Sequence, residues 1–347
     1  MSNSIELNEK YPLVSICTPT FNRRPFIPIL IQCFLHQTYP RERVEWIIID
    51  DGNDPVGDLL LNIPQVKYFY YAEKMTLGKK RNIMHEKCNG DFIVYMDDDD
   101  YYPPERVSHA IDMLSKNPNV LCAGSSEMHI YFKHIQKIVQ FGPYNSNHST
   151  AATFAFRKEL LNQTKFNEEA CVAEEKDFLK GYSIPLVQLE TTKSILVFSH
   201  VHNSFDKKAM LDNPNKYMKI SSKTVDDFIK EPSIKKFFLE DIDEELEKYN
   251  IGNPIHKLDV LEQMVSMSNK RNLILREKEL LTCKSKIEEL QSKLSNQMIL
   301  MQDIMTENTN VKIENQKYKE KVSYLENKIS EIIQTKITIL KKGATTT

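Results

Sequence analysis

Between positions 11 and 205 the chain repeats one alternation: a short apolar run rich in β-branched and aromatic residues, then a longer amphipathic stretch. LVSICTPT (13–20), VEWIIIDDG (44–52), VKYFYYAE (66–73) and DFIVYMDDDD (91–100) read as strands. FIPILIQCFLHQ (26–37), GKKRNIMHEKC (78–88) and PERVSHAIDMLSKNP (104–118) read as helices. Strand, helix, strand, helix is the signature of parallel βαβ units, and strands this continuously apolar are covered by helices on both faces. The pattern therefore predicts an α/β fold: a mostly parallel sheet flanked by helices.

After 205 the pattern changes. Residues 206–255 are rich in Lys, Asp and Glu, with Phe, Ile and Leu at helical spacing, and read as a helical appendage of two short helices interrupted at Pro232. Residues 256–272 read as a linker or helix. From 273 to 340 a heptad holds without a stutter. Leu280, Ile287, Leu294, Met301, Asn308, Asn315, Val322, Ile329 and Lys336 occupy a, and Cys283, Leu290, Gln297, Ile304, Val311, Tyr318, Leu325, Ile332 and Ile339 occupy d. Polar Asn at two successive a positions favours an in-register, parallel homodimer. Residues 1–10 and 341–347 read as tails, the latter disordered.

Composition adds exclusions. The 347 residues hold 46 basic and 48 acidic side chains, a formal net charge of −2, so nothing resembles the basic footprint of a nucleic-acid binder. Six cysteines lack CxxC or zinc-ligand spacing and read as reduced thiols. The N-terminus shows no charged-then-apolar leader, and PFIPILIQCFL (25–35) is too short to span a bilayer, so no transmembrane segment and a cytoplasmic location are expected.

Two predicted strands end in acids: Asp50 and Asp51 on one, Asp97 to Asp100 on the other. In open α/β sheets ligands bind outside the carboxyl ends of the strands. Like charges gathered there repel unless a cation relieves them. Hard divalent cations take one or two carboxylates plus substrate phosphates, so the tips point to Mn²⁺ or Mg²⁺ on a nucleoside diphosphate, with Asp99 the first candidate ligand. A solvated turn is the other reading for Asp98 and Asp100.

The segments VSICTPTFNR (14–23), WIIIDDGND (46–54), LGKKRNIMHEKCNGDFIVYMDDDDYYPPERV (77–107) and AEEKDF (173–178), in that order and spacing, resemble a family 2 glycosyltransferase of the GT-A fold over residues 11–205. The resemblance implies a nucleotide-sugar donor, a UDP-sugar above all, an acceptor hydroxyl of unidentified nature, a divalent metal and inversion. It implies roles too. Thr18, Thr20 and Phe21 would meet the base and ribose, and Asp51 the base edge. Lys79 and Arg81 would lie near the base or diphosphate, with Arg81 the better match. Asp97 or Asp98 would reach the ribose or the metal, Asp99 would bind the metal directly, and Asp100 would support them. The general base would be an acid of FNEEACVAEEKDFLKGY (166–182). Glu175 stands where the family carries Asp, and Glu174 or Asp177 are the alternatives to it, with Glu168 and Glu169 nearby. In SHVHNSF (199–205), His200 and His202 fall at i, i+2 of an extended segment, and His202, beside Asn203 and Ser204, is favoured for the metal or diphosphate.

Two other readings compete. A nucleotidyltransferase also uses acidic metal sites, but TPTFNRR lacks the Gly-rich loop expected after its first strand. A degenerate domain scaffolding through the coiled coil is kept open by the Glu-for-Asp change.

Overall fold

The computed structural model describes residues 11–204, 206–212 and 214–343, with side chains to 340; the predicted tail 1–10 and residues 344–347 lie outside them. The chain divides into a unit ending at Met267 and a second unit from Ser268.

The first unit is built on a seven-stranded sheet. Its strands are β1 (Val14–Thr20), β2 (Val44–Asp50), β3 (Val66–Tyr70), β4 (Phe92–Tyr95), β5 (Cys122–Gly124), β8 (Ala155–Arg157) and β9 (Leu186–Gln188), in the order β3-β2-β1-β4-β8-β5-β9. The pairs β1–β2, β2–β3, β1–β4 and β5–β9 are parallel, and β8 runs antiparallel between β4 and β5. Helices α1 (Ile27–Leu35), α2 (Gly57–Leu60), α3 (Leu77–Lys87) and α4 (Arg106–Lys116) follow β1 to β4 in turn. Every residue of β1 and β2 is buried. Alternate side chains go to opposite cores, Trp46 and Ile48 to one and Ile47 and Ile49 to the other, as a two-sided sheet requires. The expected α/β architecture, mostly parallel and helix-flanked, is the one observed.

Three expectations need correction. The strand expected over 91–100 stops at Tyr95, and Asp97–Asp100 form a turn closed by the Tyr102 hydroxyl, which accepts from the Asp97 N–H at 2.7 Å. It is a turn but not a solvated one, since Asp98 and Asp100 are buried. The break expected at Pro232 is present: α6 (Val225–Phe228) ends before it, and Pro232 opens α7 (Pro232–Lys236), where its missing N–H costs nothing, after which the chain continues helically through Phe237–Asp241 into α8 (Ile242–Glu247). The appendage is not all helix. It supplies α6 (Val225–Phe228) and also β11 (Met218–Ile220), which joins β10 (Val197–Ser199), β6 (Met128–Phe132) and β7 (Lys137–Phe141) in a second sheet of order β10-β6-β7-β11. Finally, α9 runs from Leu258 to Gly343, so 341–343 are helical rather than a frayed tail. Among the described residues no helix is long and apolar enough to cross a membrane.

Beneath the C-terminal edge of the large sheet, one short chain of hydrogen bonds ties three strands. Trp46 Nε1 donates to Thr18 Oγ1 at 2.9 Å, and that hydroxyl donates to the Met96 carbonyl at 2.6 Å. All three groups are buried, and Trp46 also stacks on Phe34 at 4.5 Å between centroids. Thr18, expected as a nucleotide contact, thus has its hydroxyl proton and one lone pair engaged inside the fold, and it is buried and does not line the cavity described below.

Thr18→Val keeps the shape but strands a buried indole N–H and a carbonyl. It is expected to lower unfolding stability by about 1–3 kcal/mol, read as a drop in the urea midpoint with an unchanged slope. An unchanged midpoint would show that this brace carries no weight.

Candidate active site

Parallel register brings the ends of β1, β2 and β4 to one edge, where Thr20 pairs with Asp50 and Cys17 with Tyr95. A cavity of about 150 Å³ opens there, lined by Pro19, Thr20, Phe21, Arg23, Leu77, Lys80, Arg81, Asp97, Asp98, Asp99, Ser204 and Lys257.

Its cationic wall comes largely from α3. Thr76 caps this helix, and Gly78 at its start sits so close to the 167–170 loop that a Cβ there would lie 1.9 Å from the Asn167 carbonyl oxygen. The helix turns Lys80, Arg81, Met84 and His85 inward and leaves Lys79 exposed. The lysine of the site is therefore Lys80 and not Lys79, which faces away by roughly the 100° that separates successive helical residues. Lys80 Nζ ion-pairs with Asp51 Oδ1 and donates to the Thr20 carbonyl at 2.9 Å. Asp51 Oδ2 accepts from the Met75 N–H at 2.7 Å. Asp51, expected at a base edge, is thus 1% exposed with both oxygens engaged, and it acts on the cavity only through Lys80.

Arg81 lies over the Tyr95 ring, 4.4 Å from its centroid. Its Nε donates to Glu174 Oε1 at 2.9 Å. Its Nη2 is 3.5 Å from Asp97 Oδ1, an ion pair outside hydrogen-bond geometry, and that buried oxygen has no hydrogen-bond donor. Glu174 is therefore a buried counter-ion. Glu175, beside it at the start of α5 (Glu175–Phe178), is half-buried, and burial together with the Glu174 charge pushes its carboxyl up to about 7. Asp177, Glu168 and Glu169 are exposed; none of these five acids lines the cavity itself, and Glu174 and Glu175 adjoin it through Arg81.

The acidic turn is held from the opposite side. Arg23, 3% exposed, lies 3.6 Å from both Asp98 and Asp99. Burial raises Asp98 to about 7 against the pull of Arg23. Asp99 goes the other way. Although burial opposes it, the His200 hydrogen bond and Arg23 hold it well below the usual carboxylate range. Burial and the Asp99 charge push Asp100 well up, and its Oδ1 accepts from the Phe198 N–H at 3.2 Å, a supporting contact.

His200 sits on Asp99, with Nε2 at 3.2 Å from Oδ2, and the His202 N–H donates to its Nδ1 at 3.2 Å. Burial lowers His200 to about 4 despite Asp99, so it is neutral at pH 7. The favoured His202 is not in the cavity. β10 ends at Ser199, residues 200–203 turn, and the His202 ring faces Gly252 and Tyr249 instead. The i, i+2 argument fails because the segment is not extended where the histidines lie.

A divalent cation was expected at the acidic tip. Among the described residues no group of three or more His, Cys, Asp or Glu could hold a metal by itself. Asp97 Oδ1, which has no hydrogen-bond donor, and the cavity-lining Asp99 do fit the mode in which a hard cation takes two carboxylates and completes its shell with phosphate oxygens.

Sequence reasoning missed Arg23, Lys80 and Lys257. Lys80 had a signal, since Met84 and Cys88 follow it at four and eight residues and mark the buried helical face. Lys257 had none, lying beyond any stretch that resembled a known family. It is 7% exposed, its Nζ donates to Ser204 Oγ at 2.8 Å, and burial and Arg23 lower it to about 7.

Residues 15–171 match the family described as Glycosyl transferase family 2. An uncharacterized glycosyltransferase of Haemophilus influenzae is 30% identical over 119 residues, 33% of this chain and 47% of that relative; the chain thus spans about half the length of the curated relative. Among solved structures, S. aureus TarS superposes with a TM-score of 0.44 at 20% identity, covering 54% of this chain and 60% of that one. A mannosyltransferase from Pyrobaculum calidifontis, in complex with GDP-Man and Mn²⁺, superposes at 0.45 and 15% identity, covering 59% and 66%. The matched stretch ends before Glu174 and Glu175, so the candidate acids stand on their geometry. Over residues 15–171, the chain is similar to glycosyl transferase family 2.

Proposed function

We propose that this protein transfers a sugar from a nucleoside-diphosphate sugar, a UDP-sugar first, to an acceptor hydroxyl, with Mn²⁺ or Mg²⁺ on the diphosphate and inversion at the anomeric carbon. The observation that carries this is the single cavity in which Asp97, Asp98 and Asp99 meet Arg23, Lys80 and Arg81, with Glu175 beside the Arg81–Glu174 pair. Acids alone would suggest a cation site and bases alone an anion site. Both together suit a metal-bound diphosphate.

The chemistry follows from charge. As the bond between the anomeric carbon and the phosphate oxygen breaks, negative charge develops on the leaving nucleoside diphosphate. Preorganised cations stabilise it in a site that excludes water. The cation would be held by Asp97 and Asp99, and it would neutralise the diphosphate when bound. Arg23, Lys80 and Arg81 are fixed by their carboxylate and carbonyl partners and need no rearrangement to act. On the acceptor side, a proton must leave the attacking hydroxyl as its oxygen bonds to carbon. Glu174 is committed to Arg81, which leaves Glu175 to take that proton.

The second unit supports a further element of this reading. The apolar heptad residues of α9 stand about half exposed or more, Leu280 by 57% and Leu294 by 58%, on a helix that no packing within the unit covers. Pairing with a second copy through 273–340 would bury them.

Three outcomes are expected. Thermal unfolding should shift upward with UDP plus Mn²⁺ or Mg²⁺, by mass action on the native state, and the shift should disappear in EDTA; no shift with UDP, GDP or CDP under any metal would sink the donor reading. If Glu175 is the base it must be ionised, so the rate rises with pH through about 7 and is lost below it. Glu175→Gln should cost about a hundredfold or more in kcat, abolish that limb and leave UDP binding in place; a limb that persists in the variant would assign the base elsewhere. Light scattering of the full chain should give twice the chain mass, and Leu294→Glu with Ile329→Glu should halve it, whereas a monomeric wild type would remove the coiled-coil dimer.

A further inference from the structure

A segment outside the family-matched residues closes over the cavity. Tyr249 Oη donates to Asp54 Oδ2 at 2.8 Å, Asn22 Nδ2 to the Ile251 carbonyl at 3.0 Å, and Arg23 Nη1 to the Gly252 carbonyl at 3.3 Å. Further on, Asp259 ion-pairs with Lys74, and Gln263 Oε1 accepts from the Cys171 N–H at 2.7 Å. Gly252 lies so near His202 that a Cβ would come within 2.6 Å of its Nδ1. This strap, 249–263, brings Lys257 into the cavity wall.

Lys257 is an unusual cation for a buried position. Its hydrogen bond goes to a neutral hydroxyl, Ser204 Oγ. The cavity's carboxylates Asp98 and Asp99 already face Arg23, and neither forms an ion pair with Lys257. An ammonium has three donors, and a buried charge without a paired anion is costly. Its ring neighbour Phe21, 5.8 Å from Nζ, offers only a face. The arrangement makes sense if an anion enters the cavity.

We infer that Lys257 is a direct ligand of the donor diphosphate, and that the strap carrying it forms part of the donor site. The inference rests on the glycosyltransferase reading above. It adds a binding residue from a part of the chain that lies past the family match.

The test compares UDP with uridine, which lacks the phosphates, by calorimetry on the full chain at fixed Mn²⁺. Lys257→Met keeps the stem and removes the charge. UDP binding should weaken by about tenfold or more, the scale of one charge-assisted phosphate contact. Uridine binding should stay unchanged, and Lys257→Arg should restore most of the loss. UDP affinity unaltered in Lys257→Met would overturn the assignment. So would an equal loss for both ligands, because the lysine would then be shaping the strap rather than holding phosphate. Should Lys257→Met fail to fold, Lys257→Gln is read by the same criteria. A wild type that binds neither ligand would instead bring down the donor reading itself, so the two failures are told apart.

Discussion

Arg23 is the constraint on which the site depends. One buried guanidinium faces Asp98 and Asp99 at 3.6 Å, donates to the His202 carbonyl at 2.7 Å and reaches the Gly252 carbonyl at 3.3 Å. Those four partners come from the acidic turn, from the segment after β10 and from the strap. Without Arg23, two adjacent carboxylates would face each other in a space that excludes water, and such a pair does not stay ionised. With it, both carboxylates are drawn toward the ionised form; burial still leaves Asp98 at about 7, while the His200 hydrogen bond together with Arg23 overcomes burial and takes Asp99 well below the usual carboxylate range. The division of charge along the DDDD turn follows from Arg23 and His200 together.

The same logic organises the opposite wall. Arg81 pairs Glu174 and faces Asp97, and Lys80 pairs Asp51. Each cation is neutralised on its inner side and open toward the cavity on the other. Buried ion pairs of this sort contribute little net stability, because desolvation offsets the Coulomb gain. They fix geometry, and a donor phosphate or a metal ion then meets groups that are already in position. Glu175 gains from this indirectly. Burial, with the Glu174 charge beside it, pushes Glu175 up to about 7, into the range where a base can both hold and release a proton near pH 7.

The legible parts of the chain were those where local pattern decides structure. VEWIIID could only be a two-sided buried strand, and the strand–helix alternation fixed the parallel order and hence the common edge at which the acids meet. Partners distant in sequence were not legible. Thr18 looks like a loop hydroxyl until Trp46 and Met96 are seen to use both of its hydrogen-bonding functions. Arg23 and Arg24 are adjacent and identical in type, yet Arg24 pairs with Asp54 and Asp58 near the surface while Arg23 enters the core of the site. No property of TFNRRP distinguishes them. The second sheet escaped notice because its strands, 128–132, 137–141, 197–199 and 218–220, are short and come from separate regions. None carries enough periodicity to declare itself, and they are stable only together.

The histidines show how one error of local structure moves a functional assignment. Read as strand, 199–205 would put His200 and His202 on one face, and the polar neighbours would favour His202. The chain instead leaves β10 at Ser199 because Leu196 is tied to Tyr101 by a reciprocal pair of backbone hydrogen bonds and Phe198 is tied to Asp100. That pairing lays the segment along the acidic turn and places the first residue past the strand, His200, against Asp99. The turn that follows then carries His202 away toward the strap. A neutral imidazole on Asp99 leaves the carboxylate ionised without cancelling its charge, which is what a residue must retain if it is to bind a cation brought in with the donor.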